Sequence, residues 1–194
     1  MMRTPKIPAF TSDGLLPPGD YEVSFEELRR SVLVQGPDDD GEFSFQDSDW
    51  RRELVDNLEI LTRQLWQVGV REIFINGSFV EDKGRPNDID GYFVCEPGSL
   101  HEDGLQKKLN ALDPYKIWTW DRDSRTPYRK YPKSQLPMWH RYRVELYPHV
   151  PGRSIGSSGI LGRDGHLLDF PAAFRQTHAG KPKGIVKIRY GGVS

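Results

Sequence analysis

From Trp50 to Val68 the apolar residues Leu54, Leu58, Leu61, Leu65 and Val68 recur at intervals of four, three, four and three. That spacing predicts an amphipathic helix, which Gly69 is placed to end with a positive φ. Two short apolar runs follow, Glu72 to Asn76 and Asp88 to Val94, which predict strands joined by a loop with Gly84 and Pro86 as turn residues. Leu105, Leu109 and Leu112 make a second helical face that stops before Pro114, and Ser99-x-x-Glu102 ahead of it has capping-box spacing. Lys116 to Trp120 alternates like a strand, with Trp118 and Trp120 alternatively lining a pocket. Val144 to Tyr147 reads as a strand ended by Pro148, Leu168 to Gln176 as a short helix, and Gly184 to Tyr190 as the last strand.

The N-terminal pattern differs. Met1 to Pro18 holds four prolines and a glycine, which predicts an extended arm turning into a short strand at Tyr21 to Val23. Ser24 and Glu27 have capping-box spacing for a helix from about Phe25 to Leu33. Pro37 to Gln46 is acidic and turn-rich without the alternate spacing of a calcium loop, so it reads as a solvated loop. Pro151 to Gly165 is a Gly-Ser loop, expected to be mobile and lacking the Gly-Lys-Ser/Thr ending of a P-loop. The expected organisation is an arm over 1–24 and one α/β domain over 25–194, a mixed sheet backed by helices.

Composition narrows the function classes. With 194 residues and a net charge of −1, the chain suits one domain and is not built to hold long nucleic acid by its backbone. Cys95 is the sole cysteine, which excludes an internal disulfide and a cysteine-based zinc cluster within one chain. The N-terminus lacks the apolar core of a signal peptide, and no run approaches the roughly 20 apolar residues of a membrane span. A cytoplasmic setting is expected.

The candidate chemistry lies in Ile73 to Val94, IFINGSFVEDKGRPNDIDGYFV. On a strand, Asp88 and Asp90 face one side while Ile89 points into the core. Two carboxylates held that close repel, and a hard divalent cation such as Mg²⁺ is the usual remedy. Gly77-Ser78, at the end of the preceding strand, supplies backbone N–H groups and a hydroxyl that suit phosphate oxygens. The plainer alternatives are an ordinary strand-ending turn, a turn-capping Asp88, and an Asp90 paired with a surface arginine. Arg122 to Tyr142 is dense in cations and aromatics, and reads either as a solvated basic surface or as a positive mouth that draws in a triphosphate or an acidic partner. Lys181-Pro182-Lys183-Gly184 reads as a turn into the last strand or as cations facing a nucleotide. The histidines show no metal-ligand spacing and GSSG at Gly156 no nucleophile-elbow spacing, so His149 reads as structural.

The apolar strand, Gly-Ser and Asp-Ile-Asp together resemble the signature of the nucleotidyltransferase superfamily that includes DNA polymerase beta, in particular its minimal single-domain bacterial members. More loosely, LPPGDYEV near the start and PKGIV near the end resemble a small bacterial branch of these proteins. The resemblance implies the nucleotidyltransferase fold and a third carboxylate on a later strand, which Glu145 in RVELY matches. It implies that Asp88 and Asp90 hold one or two Mg²⁺ ions and that Glu145 helps hold the ion on the nucleophile side or deprotonates the acceptor, the plainer reading of Glu145 being a bond to Arg141 or Arg143. Gly77 and Ser78 are then expected to bind the triphosphate, which Lys83 and Arg85 in the loop are placed to reach as cations. The chain departs from the superfamily at Phe79, Val80 and Glu81, where a basic residue is common, and at Gly91, where an apolar one is. The implied reaction moves a nucleoside monophosphate from an NTP to a hydroxyl of a protein or RNA partner. Minimal members often act in toxin-antitoxin or phage-defence pairs, with a partner encoded nearby. The rivals are a catalytically inactive module of the same fold that acts by binding its partner, and a metal-dependent phosphodiesterase.

Overall fold

The computed structural model describes residues 7–37, 45–98, 104–152, 157–162 and 165–192. The expected capping box at Ser99-x-x-Glu102 and most of the acidic 37–46 loop lie outside them. The first described residues already belong to the core: Ile7 and Leu15 are buried and Leu16 fully so. The chain then forms strand β1, Asp20–Val23, which is the sheet edge. The segment set apart by its prolines is thus integral to the packing from Ile7 onward.

Ser24 closes the expected capping box, its Oγ accepting from Glu27 N while Glu27 accepts from Ser24 N. The single helix expected over 25–33 is two: α1, Phe25–Arg29, and α2, Val32–Gln35. Ser31 divides them by donating to Leu28 O at 2.7 Å and accepting from Leu33 N at 3.3 Å, a side-chain alternative to helix continuation. The leucine stripe forms α3, Phe45–Gln67, with Leu54, Leu58, Leu61 and Leu65 fully buried.

Strands β2, Ile73–Asn76, and β3, Ile89–Val94, are antiparallel neighbours, and helix α4 covers Leu105–Leu112. Lys116–Trp120 is not a strand. Asn110 of α4 takes the ladder bonds: its Oδ1 accepts from Trp118 N and its Nδ2 donates to Trp118 O, at 2.9 and 2.7 Å. Trp118 is fully buried and donates through Nε1 to Gln64 Oε1, so it belongs to the core. Helix α5, Pro137–Tyr142, leads into β4, Val144–His149. Pro148 does not end this strand, because β4 is the other sheet edge, where a missing N–H is tolerated. Strand β5, Ser157–Leu161, arises from the expected Gly-Ser loop and pairs antiparallel with β6, Leu167–Asp169. The expected helix over 168–176 is shortened to α6, Phe170–Ala173, capped by Asp169. Strand β7, Ile185–Ile188, completes the sheet.

The result is one mixed α/β domain whose five-stranded sheet has the order β1-β7-β2-β3-β4, with β1·β7 and β3·β4 parallel and the other pairs antiparallel. Period-two alternation assigns each strand residue to a face. Ile73, Ile75, Ile89, Phe93 and Leu146 join the main core with α3, whereas Phe74, Tyr92 and Ile185 pack with Phe170 of α6 on the opposite face. Asn76, Asp90 and Glu145 share the parity of that second, aromatic face. Among the described residues no helix is long and apolar enough to cross a membrane.

Candidate functional site

Strand β2 ends in a 3₁₀ turn, Gly77–Val80, and its last residue anchors the turn. Asn76 is fully buried; its Oδ1 accepts from Gly77 N at 2.7 Å, and its Nδ2 donates to Gly184 O at 3.0 Å and to Phe174 O. Gly77 has φ +73°, and a Cβ there would lie 2.5 Å from Asp90 Oδ2. Two independent demands therefore select glycine: the left-handed backbone and the second aspartate.

A buried cation that periodicity did not reveal shapes the rest of the turn. Arg51 of α3 is fully buried, and its guanidinium donates to the carbonyls of Leu33, Phe79, Glu81 and Lys83 at 2.8, 2.7, 3.0 and 2.5 Å. Burial lowers its pKa to about 9, so it remains charged at neutral pH. The connection from Gly77 to Lys83 is thereby tied to the helix behind the sheet.

Asp90 and Glu145 are direct partners in the β3·β4 ladder, and Asp88 immediately precedes β3. Burial first, then repulsion from Asp88 and Glu145, raises the Asp90 carboxyl well above the ordinary carboxylate range. Asp88 is raised too, chiefly by burial and further by Glu145, against the opposing bond from Trp139 and the charges of Lys83 and Arg143. Trp139 Nε1 donates to Asp88 Oδ2 at 2.6 Å. Glu145 is already engaged: Leu136 N donates to its Oε1 at 3.3 Å, Arg125 lies 3.5 Å from the same oxygen, and Tyr147 Oη donates to Oε2. Burial, followed by Glu145, raises the Tyr147 phenol.

A cavity of about 750 Å³ opens on this face, within the size range of small-molecule sites. Gly77, Ser78, Lys83 and Asp90 line it, together with Lys183 and Arg125. Lys183 is nearly buried; its Nζ lies 3.3 Å from Gly77 O and 2.5 Å from Glu81 Oε1. It thus brings a cation to the Gly-Ser turn from the turn before β7, where Phe79, Val80 and Glu81 offer none. Tyr147, Phe170 and Phe174 form the aromatic wall, with Tyr147 and Phe170 stacked at 5.0 Å and Phe170 and Phe174 at 5.7 Å. Asp88 and Glu145 neighbour Asp90 in sequence and in the ladder but do not line the cavity, and Arg85 instead stacks over Trp50 at 4.6 Å.

The sequence-predicted residues Gly77, Ser78, Lys83 and Asp90 therefore share one cleft, with Asp88 and Glu145 next to it. Lys183, Arg125 and the aromatic wall complete it; the basic character of 122–143 and the Lys-Pro-Lys-Gly turn were visible in sequence, but their convergence was not. His149 is buried, its ring meeting Tyr92 edge-on at 5.8 Å. Among the described residues no three His, Cys, Asp or Glu side chains are gathered as a metal cage. Asp88 and Asp90 offer hard oxygen donors one residue apart, with one Asp88 oxygen bonded to Trp139, whereas Glu145 is committed to Arg125 and Tyr147. A family model described as a family of unknown function, DUF6932, matches residues 8–189. No curated protein and no solved structure matches the chain.

Proposed function

We propose that this chain, which belongs to the DUF6932 family, has a nucleotidyltransferase fold and transfers a nucleoside monophosphate from an NTP to a hydroxyl of a separate macromolecule. The observation that supports this reading best is the convergence of the Gly77-Ser78 turn, Asp90 and the cations Lys83, Lys183 and Arg125 on one cavity. Triphosphate recognition needs donors and positive charge; the transfer needs carboxylates close by.

In this reading Ser78 and the backbone after Gly77 donate to the terminal phosphates, and the three cations offset their charge. Asp88 and Asp90 would hold Mg²⁺, which when bound supplies charge neutralisation and acidifies the attacking hydroxyl. The acceptor oxygen bonds to the α-phosphorus, the bond from that phosphorus to the bridging oxygen breaks, and pyrophosphate departs. The hydroxyl proton goes to a carboxylate of the site. Glu145 can take part once Arg125 turns from it to the triphosphate. A partner encoded nearby, as in toxin-antitoxin or defence pairs, and a cytoplasmic setting fit this chemistry.

The engagement of Glu145 by Arg125 and Tyr147 favours a second reading, a binding module that keeps the fold without turnover. One experiment separates the two. Wild-type protein heated with each NTP and Mg²⁺ should gain thermal stability, and the Asp88→Asn, Asp90→Asn variant should not. Absence of any shift with all four nucleotides removes the transferase reading; a shift without pyrophosphate release in the presence of an acceptor leaves the binding module.

A further inference from the structure

The two aspartates face different surroundings. Asp90 lines the nucleotide cavity, whereas Asp88 is bonded to Trp139, which is absent from that cavity's lining. Trp139 anchors an aromatic cluster: Tyr128 and Tyr131 meet it edge-on at 5.1 and 5.3 Å. Arg143, held in the left-handed region at φ 55°, sits 3.8 Å over Trp139 and 4.3 Å over Tyr128. Around this cluster, the segment from Arg122 to Arg143 carries seven cations and one acid, Asp123, in a chain of net charge −1. Arg129, Lys130 and Lys133 are exposed. Among the described residues these three make no ion pair, and Arg129 lies 5.0 Å over the Tyr128 ring.

A positive surface carried by Arg129, Lys130, Lys133 and Arg143 and interleaved with Tyr128 and Tyr131, none of which lines the cavity, has the chemistry of single-stranded nucleic acid binding. Cations track the phosphates and rings accept the bases. An acidic protein would use the charge but leave the tyrosines without a role. Low net charge excludes a protein that coats long polymers, not one that grips a short terminus. We infer that this segment is the acceptor surface and that it takes a single-stranded nucleic acid end whose 3′-hydroxyl is presented beside Asp88. The inference rests on the nucleotidyl-transfer reading for the word acceptor, but its binding test does not.

Fluorescence anisotropy with the full chain and 5′-labelled 12-nucleotide RNA and DNA of one sequence reads the surface directly, without NTP. Wild type should bind with an affinity that falls steeply with salt. Arg129→Glu, Lys130→Glu, Lys133→Glu should lose roughly tenfold or more and flatten the salt dependence. Tyr131→Ala should lose roughly fivefold or more, and Tyr131→Phe should restore binding. Equal affinity of wild type and the triple variant overturns the inference. So does tighter binding of a polyglutamate peptide that the triple variant abolishes, which makes the acceptor an acidic protein. With NTP and Mg²⁺, an oligonucleotide lengthened by one residue, and not lengthened when its 3′ end carries a phosphate, supports the acceptor role. Binding without lengthening overturns that role even where NTP stabilises the protein. Should no NTP stabilise the protein, it is the transferase reading that falls, while triple-variant-sensitive binding still stands.

Discussion

Gly77 and Asp90 are in such close approach that a β-carbon on Gly77 would lie 2.5 Å from Asp90 Oδ2, in a residue whose φ is +73°. Gly77→Ala is therefore expected to destabilise the free protein by about 2 kcal/mol, of which the positive φ accounts for 1–2. Urea unfolding of the free protein measures this. A neutral effect would mean that Asp90 moves aside without penalty, and the turn would then be selected by its ligand instead.

Asp88 and Asp90 give a prediction whose sign follows from their raised carboxyls. The folded protein binds these protons more tightly than the unfolded chain does. Their contribution is complete below the unfolded carboxylate range near pH 4 and is lost as pH rises through the raised folded values. Without metal, the thermal midpoint of wild type should thus fall relative to Asp88→Asn, Asp90→Asn as pH rises above the ordinary carboxylate range. Mg²⁺ should narrow the difference at pH 7. A double variant less stable than wild type at pH 7 without metal would mark the aspartates as structural partners.

Arg51→Met removes four donated bonds at once and leaves the carbonyls of Phe79, Glu81 and Lys83 without that partner. The expected loss is about 3 kcal/mol. Arg51→Lys should recover part of the stability but not the planar fork that spans the loop. NTP affinity of the lysine variant, measured by calorimetry well below its melting temperature, should fall because Ser78 and Lys83 are no longer held. Unchanged affinity would show that the loop is set by other contacts.

Gly91→Ala is expected to cost about 3 kcal/mol, since its methyl would run into Phe74 O and lie 2.9 Å from Leu146 Cδ2. The same measurement explains the departure from an apolar residue at this position. Here the Phe74 carbonyl of β2 and the Leu146 side chain of β4, on the two flanks of β3, occupy the space a β-carbon would need. A variant as stable as wild type would show that the strands can separate by a few tenths of an ångström.

Where local spacing decides structure, the sequence was legible. The α3 stripe, the Ser24 capping box and the parity that puts Asp90 on one face and Ile89 on the other all follow from periodicities of 3.6 and two. Legibility failed where a distant side chain replaces a backbone partner. Asn110 takes the ladder bonds of Trp118, Ser31 splits a helix, and Arg51 is buried in a stripe that otherwise reads as leucine. Pro148 misled for a topological reason, because only the sheet order reveals β4 as an edge. The cleft was half visible: Gly77, Ser78 and Asp90 lie within one short stretch, but Lys183 and Arg125 reach it from segments whose proximity only the completed sheet creates.

The position of β7 also constrains how the chain reaches this state. It pairs with β1 on one side and β2 on the other, so residues 185–188 must be in place before Asp20–Val23 can join the sheet. Until then β2 exposes an unpaired edge of Ile73, Phe74 and Ile75, and such edges invite pairing with other chains. Loop closure over this separation is slow compared with forming β2 and β3, which are joined locally. Pulse-labelled hydrogen exchange during refolding should accordingly show the amides of β2 and β3 protected before those of β7, and those of β1 no earlier than those of β7. Because Lys183 stands two residues before β7, the cleft acquires its buried cation only when that strand joins the sheet, so completion of the sheet and completion of the cleft are one event.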